Sequence, residues 1–347
     1  MIMKNDSFIE LIKSSPNVPT LDGFAKCKSI INYHDKNMVS ISGGKDSDTM
    51  LDLILKVIRS NDIDINKFHF VFFDTGIEYQ ATKDHLKYLE DKYNITIERH
   101  KAVIPVPTGC RKYGLPFISK QVSENISRLQ KHNFDFANDG IKNYDELIKK
   151  YPKCLSALKW WCNCHDKKRN GSESSFNINY NKYLKEFMID NPPEFKISQK
   201  CCWGAKKINA HKILKQLNAD LNIVGIRKAE GGVRSNAYKN CFSNNKMKKD
   251  YDDYRPIFWF SDKDEKEYID FYKIKNSNCY LKYGLKRTGC AGCPFGNDFE
   301  YELENAKQYE PKLYNAINNI FQESYKYTRA YLEYKNKKNE IKRNEVI

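Results

Sequence analysis

Met38-Val39-Ser40-Ile41-Ser42-Gly43-Gly44-Lys45-Asp46-Ser47 is the stretch whose reading decides the fold. Its first four residues are a short apolar run bounded by turn residues, as in a buried parallel strand. After the glycines, Met50, Leu51, Ile54, Val57 and Ile58 recur at helical spacing, so a helix follows. A strand, a Gly-Gly turn and a helix in that order suit an anion. Two glycines let backbone approach a phosphate closely, and the helix start presents free N–H groups at its positive end. Ser42 and Ser47 add hydroxyls and Lys45 a charge. The pattern is not the G-x-x-x-x-G-K-[ST] of the Walker loop.

Outward from this turn, Phe68 to Phe73 reads as a second buried strand and Gln80 to Tyr93 as a second helix. Ile95-Thr96-Ile97 reads as a third strand. Strands alternating with helices imply parallel pairing through right-handed crossovers. The residues before Asp35 carry one or two helices. Val103 to Pro116, with its prolines and glycines, reads as a loop. Further on, a helix over Lys206 to Leu217 leads to another buried strand, Leu221 to Ile226. Ser261 with Asp264 and Glu265 opens a helix near Tyr268 to Tyr272. Glu300 to Lys335 has helical patterning, and the basic tail beyond it is expected to fray.

The 347 residues are 40% apolar and 13% aromatic, enough to build a core and contrary to wholesale disorder. No signal-peptide pattern opens the chain and no run of about eighteen apolar residues occurs, so a soluble, cytoplasmic protein with no membrane association is expected. The formal charge of +15 attracts polyanions, but it is spread along the chain and leaves nucleic-acid contact open. Eleven cysteines in a reducing compartment point to metal binding or redox chemistry rather than a disulfide framework. Cys201-Cys202 and Cys290-x-x-Cys293 are the notable pairs. Cys162-x-Cys164-His165 is a weak ligand signal and reads better as scattered thiols.

Three elements in order carry a resemblance to a known family. Ser42 to Ser47 resembles the PP-loop of ATP pyrophosphatases, which bind ATP and cleave it between the α and β phosphates. Phe73-Asp74-Thr75-Gly76-Ile77-Glu78-Tyr79 is similar to the Asp-Thr-Gly-x-Glu segment of phosphoadenosine-phosphosulfate (PAPS) reductase-like proteins. Gly225 to Arg234 resembles their G-x-R-x-x-E-S-x-x-R element, with Gly231 where serine is usual. The resemblance implies an α/β, parallel-sheet, adenine nucleotide alpha hydrolase-like (Rossmann-like) domain with an insertion and a helical C-terminal part. The expected divisions are a helical segment 1–35, a nucleotide-binding domain 36–133 with 196–260, a polar insertion 134–195, a cluster-binding helical region 261–335 and a basic tail 336–347. It further implies nucleotide contacts from Ser42, Gly43, Gly44, Lys45, Asp46, Ser47, Asp74, Gly76, Glu78, Gly225, Arg227, Glu230 and Arg234. Lys45, Asp46 and Asp74 are the candidate catalytic groups. Asp74 and Glu78 fall at the carboxyl end of a parallel strand, where ligands of open sheets bind; Glu78 reads equally as a helix N-terminal charge. Arg227 and Arg234 suit bidentate phosphate or sulfate contacts, with Glu230 to hold one guanidinium.

The pairing of adjacent cysteines with a distant C-x-x-C is similar to the [4Fe–4S] site of the iron–sulfur members of this family. On that likeness Cys201, Cys202, Cys290 and Cys293 are the cluster ligands; zinc is the alternative, though adjacent cysteines are awkward around one tetrahedral ion. Sulfonucleotide reductases use a cysteine near the C-terminus, and none follows Cys293 here. They also carry a modified phosphate turn, whereas Lys45, Asp46 and Ser47 are kept as in ATP-cleaving relatives. Both departures favour binding of ATP with Mg2+ and its cleavage to AMP and pyrophosphate, activating an acceptor for cluster-assisted sulfur transfer. A tRNA or DNA acceptor and a sulfur-donor protein are the partners implied. PAPS or adenosine phosphosulfate reduction is the runner-up, and a non-catalytic nucleotide-sensing subunit is a third reading.

Overall fold

The computed structural model describes residues 3–231, 237–296 and 298–344. The chain divides into two units, one of Met1–Val103 with Ala205–Ala291 and one of Ile104–Gly204 with Gly292–Ile347. The first holds a six-stranded sheet: β1 (Asn37–Ile41), β2 (Phe68–Asp74), β3 (Ile97–Lys101), β4 (Leu221–Val224), β5 (Phe242–Ser243) and β6 (Asp252–Tyr254). The order is β3-β2-β1-β4-β6-β5. All neighbours are parallel except β5, which runs antiparallel to β6. Val39 lies opposite Phe70 on one side and Ile223 on the other, so the first strand to appear in the chain is central. This is the parallel, Rossmann-like α/β sheet expected, with an antiparallel edge added.

The chain fills one side of β1 with β2 and β3, then crosses to the other side with β4. The turn after β1 and the turn after β4 therefore flank the point where strand order reverses, which is where open α/β sheets bind ligands. The helix Lys45–Ser60 packs with Val18–Asn32 against the sheet, burying Phe24, Met50, Leu51, Ile54, Val57 and Ile58 with Val39 and Ile223. The third strand runs from Ile97 rather than ending there, because Ile95 and Thr96 are still in the turn that leaves the helix at the left-handed Asn94.

The second unit is helical. Lys120–Lys131, Leu155–Trp161, Leu184–Asp190 and Pro311–Asn344 enclose an aromatic core of Phe117, Trp160, Trp161, Phe187 and Tyr331. The polar stretch 134–195 thus contributes core residues of its own. Where a loop is expected between Val103 and Pro116, the chain forms a helix, Val106–Tyr113. Pro107 sits in its first turn, where the missing N–H costs nothing, and Gly114 ends it at φ +110°. The C-terminal helix continues to Asn344, past the point where fraying is expected. No described helix is long and apolar enough to cross a membrane.

Candidate nucleotide site and cysteine region

The phosphate turn forms as the sequence suggests. Gly43 takes φ +67°, a left-handed conformation open to glycine at little cost. Gly44 is the N-cap of Lys45–Ser60, and no side chain caps that helix start. Ser47 folds back instead, its Oγ accepting the Ser42 N–H at 2.9 Å. Ser42 is exposed, and Lys45 and Asp46 are half-buried. Gly225, just past β4, lies directly on this turn: a Cβ there would stand 2.9 Å from the Asp46 carbonyl oxygen and 3.0 Å from the Ser47 Cα. Only a glycine lets the two turns at the sheet's reversal point touch.

Arg227 is buried beside the turn, and its guanidinium is spoken for. Nε meets Asp46 Oδ1 at 2.6 Å, one terminal nitrogen meets Asp262 Oδ1 at 2.9 Å, and the other meets Glu265 Oε2 at 3.0 Å. Glu265 is itself buried, its Oε1 finds no hydrogen-bond partner among the described residues, and burial together with its contact to Asp46 pushes its carboxyl up to about 8. The Glu230 carboxylate accepts the Arg227 backbone N–H at 3.1 Å and closes the 3-10 turn Lys228–Glu230. The Arg227 side chain is met by two carboxylates from the helix start at Asp262. Arg234 lies outside the described residues.

Asp74 ends β2, and the loop after it is tied by two carboxylates. The Gly76 N–H lies 2.9 Å from Asp74 Oδ1 and 3.1 Å from Glu78 Oε2. Glu78 Oε1 accepts the Thr75 N–H at 2.9 Å and the Thr75 hydroxyl. Burial and a hydrogen bond with Asp74 push Glu78 up. Burial acts the same way on Asp74, but the bonds from Glu78 and the Gly76 amide, with Lys83 and Lys101 near, bring it net below its ordinary value. Of the two, Asp74 is thus the stronger acid. Glu78 closes the loop, and Asp74 is the carboxylate left for a ligand.

The same loop meets the C-x-x-C from the side of Cys290. Glu78 and Cys290 form an isolated antiparallel bridge, the Ala291 N–H donates to the Ile77 carbonyl at 2.9 Å, and Thr75 Oγ1 lies 3.4 Å from Cys290 Sγ.

Against known proteins, residues 36–161 match the phosphoadenosine phosphosulfate reductase domain family. This segment is a PAPS reductase-family domain. An uncharacterized protein of Methanocaldococcus jannaschii is 28% identical over 82% of this chain and 41% of its own length. The chain thus spans about two fifths of that curated relative. A solved PAPS reductase from Candida auris, in complex with phosphate, aligns over 82% of this chain and 93% of its own at 13% identity and a TM-score of 0.39. A likeness of that degree says nothing about the chemistry of this chain.

In the second unit, Cys201 is buried in a short helical turn, Lys200–Cys202, that runs into a π-turn, Trp203–Lys207. A π-turn re-aims the side chains around it and is frequent at functional sites. The hydrogen-bonded Cys110 thiol pushes Cys201 well up; Cys202 pulls the other way, and burial and nearby Cys293 add to the rise. Gly109 backs onto this residue, a Cβ there falling 3.1 Å from the Cys201 Cα. Cys110 is the thiol that sequence reasoning missed, because it stands in a segment read as loop with no cysteine at ligand spacing. Among the described residues no three His, Cys, Asp or Glu side chains are drawn into a metal-holding group. Cys110, Cys202 and Cys293 are the side chains acting on Cys201, and thiol donors suit an iron–sulfur cluster or zinc. Cys162 packs on the aromatic core and burial pushes it up to about 11, while Cys164 is exposed and His165 lies 5.7 Å from the Phe176 ring.

Proposed function

We propose that the chain is a PP-loop enzyme that binds ATP with Mg2+ at Ser42–Ser47 and cleaves it to AMP and pyrophosphate. The observation that carries this reading is the helix start behind Gly43 and Gly44, which its own N-cap residue leaves without a side-chain cap, with Lys45 at its mouth and Gly225 packed beneath it. Backbone N–H groups and the helix dipole there favour phosphate oxygens. The Lys45 ammonium balances charge as pyrophosphate departs, and fixed dipoles of this kind are worth most where water is excluded. Asp74, the more acidic member of its pair, is suited to a magnesium-bound nucleotide. Arg227, clamped by carboxylates, fixes Asp46 rather than gripping phosphate.

Adenylation of an acceptor oxygen would make it a leaving group for sulfur. Cys201, Cys202, Cys290 and Cys293 would hold a [4Fe–4S] cluster, zinc being the alternative, and the cluster when bound supplies a place to attach sulfur. The charge of +15 suits a tRNA or DNA acceptor. A sulfur-donor protein completes the scheme, with the reaction set in the cytoplasm. The family match favours a second reading, reduction of PAPS or adenosine phosphosulfate by an internal or partner thiol.

Anaerobic protein incubated with α-labelled ATP, with and without bulk tRNA and DNA, separates these. AMP and pyrophosphate, stimulated by one nucleic acid and accompanied by about four irons per chain, support the first reading. Untouched ATP with sulfite released from a sulfonucleotide supports the second. A Lys45→Ala protein that still binds ATP but has lost turnover excludes a mere nucleotide sensor.

A further inference from the structure

The start of the helix Lys45–Ser60 lacks a capping side chain of its own, yet one partner reaches it from far along the chain. The Lys45 N–H donates to the Tyr280 hydroxyl at 3.3 Å. The Thr288 N–H donates to the same oxygen, also at 3.3 Å. The Lys45 ammonium stands 5.4 Å from the centre of the Tyr280 ring, within cation–π range. Around the point where a Gly44 Cβ would project, three hydroxyls converge: Thr288 Oγ1 at 2.7 Å, Tyr280 at 3.2 Å and Ser42 Oγ at 3.4 Å. Tyr280 is anchored from behind. Its short helix, Asn278–Leu281, is capped by Ser277, whose hydroxyl donates to the Ala81 carbonyl at 3.3 Å, while the buried Cys279 lies 3.4 Å from Thr82 Oγ1.

A lysine carries a long, flexible stem and a compact charge, so holding it costs much rotamer freedom at the moment of binding. Restricting that freedom in advance is what makes a binding group effective. We propose that Tyr280 is a positioning residue of the phosphate turn: its ring holds the Lys45 ammonium, and its hydroxyl fixes the Lys45 amide and ties it to Thr288. The inference rests on the nucleotide reading above. Thr288 is two residues before Cys290, so one hydroxyl joins the phosphate turn to the segment that leads into the C-x-x-C.

The two halves of the role separate by substitution in the full chain. Tyr280→Phe keeps the ring and loses the hydroxyl; Tyr280→Leu loses both. With ATP as substrate, Tyr280→Phe is expected to raise KM about threefold with kcat nearly unchanged. Tyr280→Leu is expected to lower kcat about tenfold as well, the size of one modest oriented contact. A purely structural tyrosine would lower the melting temperature of both proteins and leave the kinetic constants of the folded fraction alone. Tyr280→Leu with KM and kcat within about twofold of wild type, while wild type binds ATP, overturns this inference and leaves the nucleotide reading standing. Wild-type protein that fails to bind ATP in calorimetry overturns both. Should Tyr280→Leu not fold, Tyr280→Phe decides, and an unchanged KM counts against the hydroxyl's role.

Discussion

Backbone packing shapes much of the phosphate turn, whereas the groups acting on Cys201 are thiols. Gly225 rests on the Asp46 carbonyl and the Ser47 Cα, and Ser47 bonds back to the Ser42 amide. No rotamer change alters the backbone distances. Cys201 instead has Cys110, Cys202 and Cys293 as neighbours, each able to swing about its own χ1. A backbone-built cradle is preset for one kind of ligand. A set of thiols can close on an ion, a cluster or a sulfur atom, and its final arrangement belongs to the ligand as much as to the protein.

The largest test of the contrast is Arg227→Met. It removes the cation between half-buried Asp46 and buried Glu265 and leaves their hydrogen bonds unmade, a loss of about 3 kcal/mol. Urea unfolding measures it; a loss below about 1 kcal/mol would mean that the cluster behaves like a surface pair and the turn is less rigidly set than its contacts suggest. Gly225→Ala comes next. The added methyl meets backbone rather than a yielding side chain, so a loss of about 1–3 kcal/mol and weaker ATP binding are expected together. Stability lost with affinity intact would uncouple the two turns.

A smaller effect reads the proton on Glu265. Its folded value of about 8 lies above the ordinary 4.5, so the folded protein holds this proton more tightly than the unfolded chain. The contribution is complete below about pH 4.5 and is lost as pH rises through about 8. Asp46, Arg227 and Lys45 are the charges acting on it. Wild type should therefore lose more melting temperature between about pH 5 and about pH 8.5 than Glu265→Gln does. Equal slopes would show Glu265 ionised in the folded state. The smallest expected change is Cys110→Ser: if Cys201, Cys202, Cys290 and Cys293 hold metal as proposed, it leaves bound iron or zinc near the wild-type level. Metal lost from the Cys110 variant would bring that thiol into the ligand set.

The turn and the strands around it were legible because their signals are local: apolar runs, two glycines and a helical period. The helix start at Ser261 was legible too, and its capping box forms. What Glu265 does there was not. An acidic residue in a first helical turn reads as a dipole charge, and nothing nearby in sequence says that its partner is Arg227. Tyr280 gives no local signal at all, since it acts through two amides and an ammonium brought to it by the fold. The helix Val106–Tyr113 was hidden by Pro107, a residue that breaks helices inside but is welcome at their start. With that helix went Cys110.

The central position of β1 has a consequence for biosynthesis. Its neighbour β2 follows closely, but its other neighbour, β4, begins only at Leu221, after the whole first segment of the second unit has been made. During synthesis from the N-terminus, one edge of Met38, Val39 and Ser40 has no mate until the ribosome has released that long detour. Exposed apolar strand edges are where nascent chains stick to one another. The vulnerable species is thus a truncated or stalled chain ending before β4, and slow translation through the intervening segment should raise aggregation more than an equal pause after Val224.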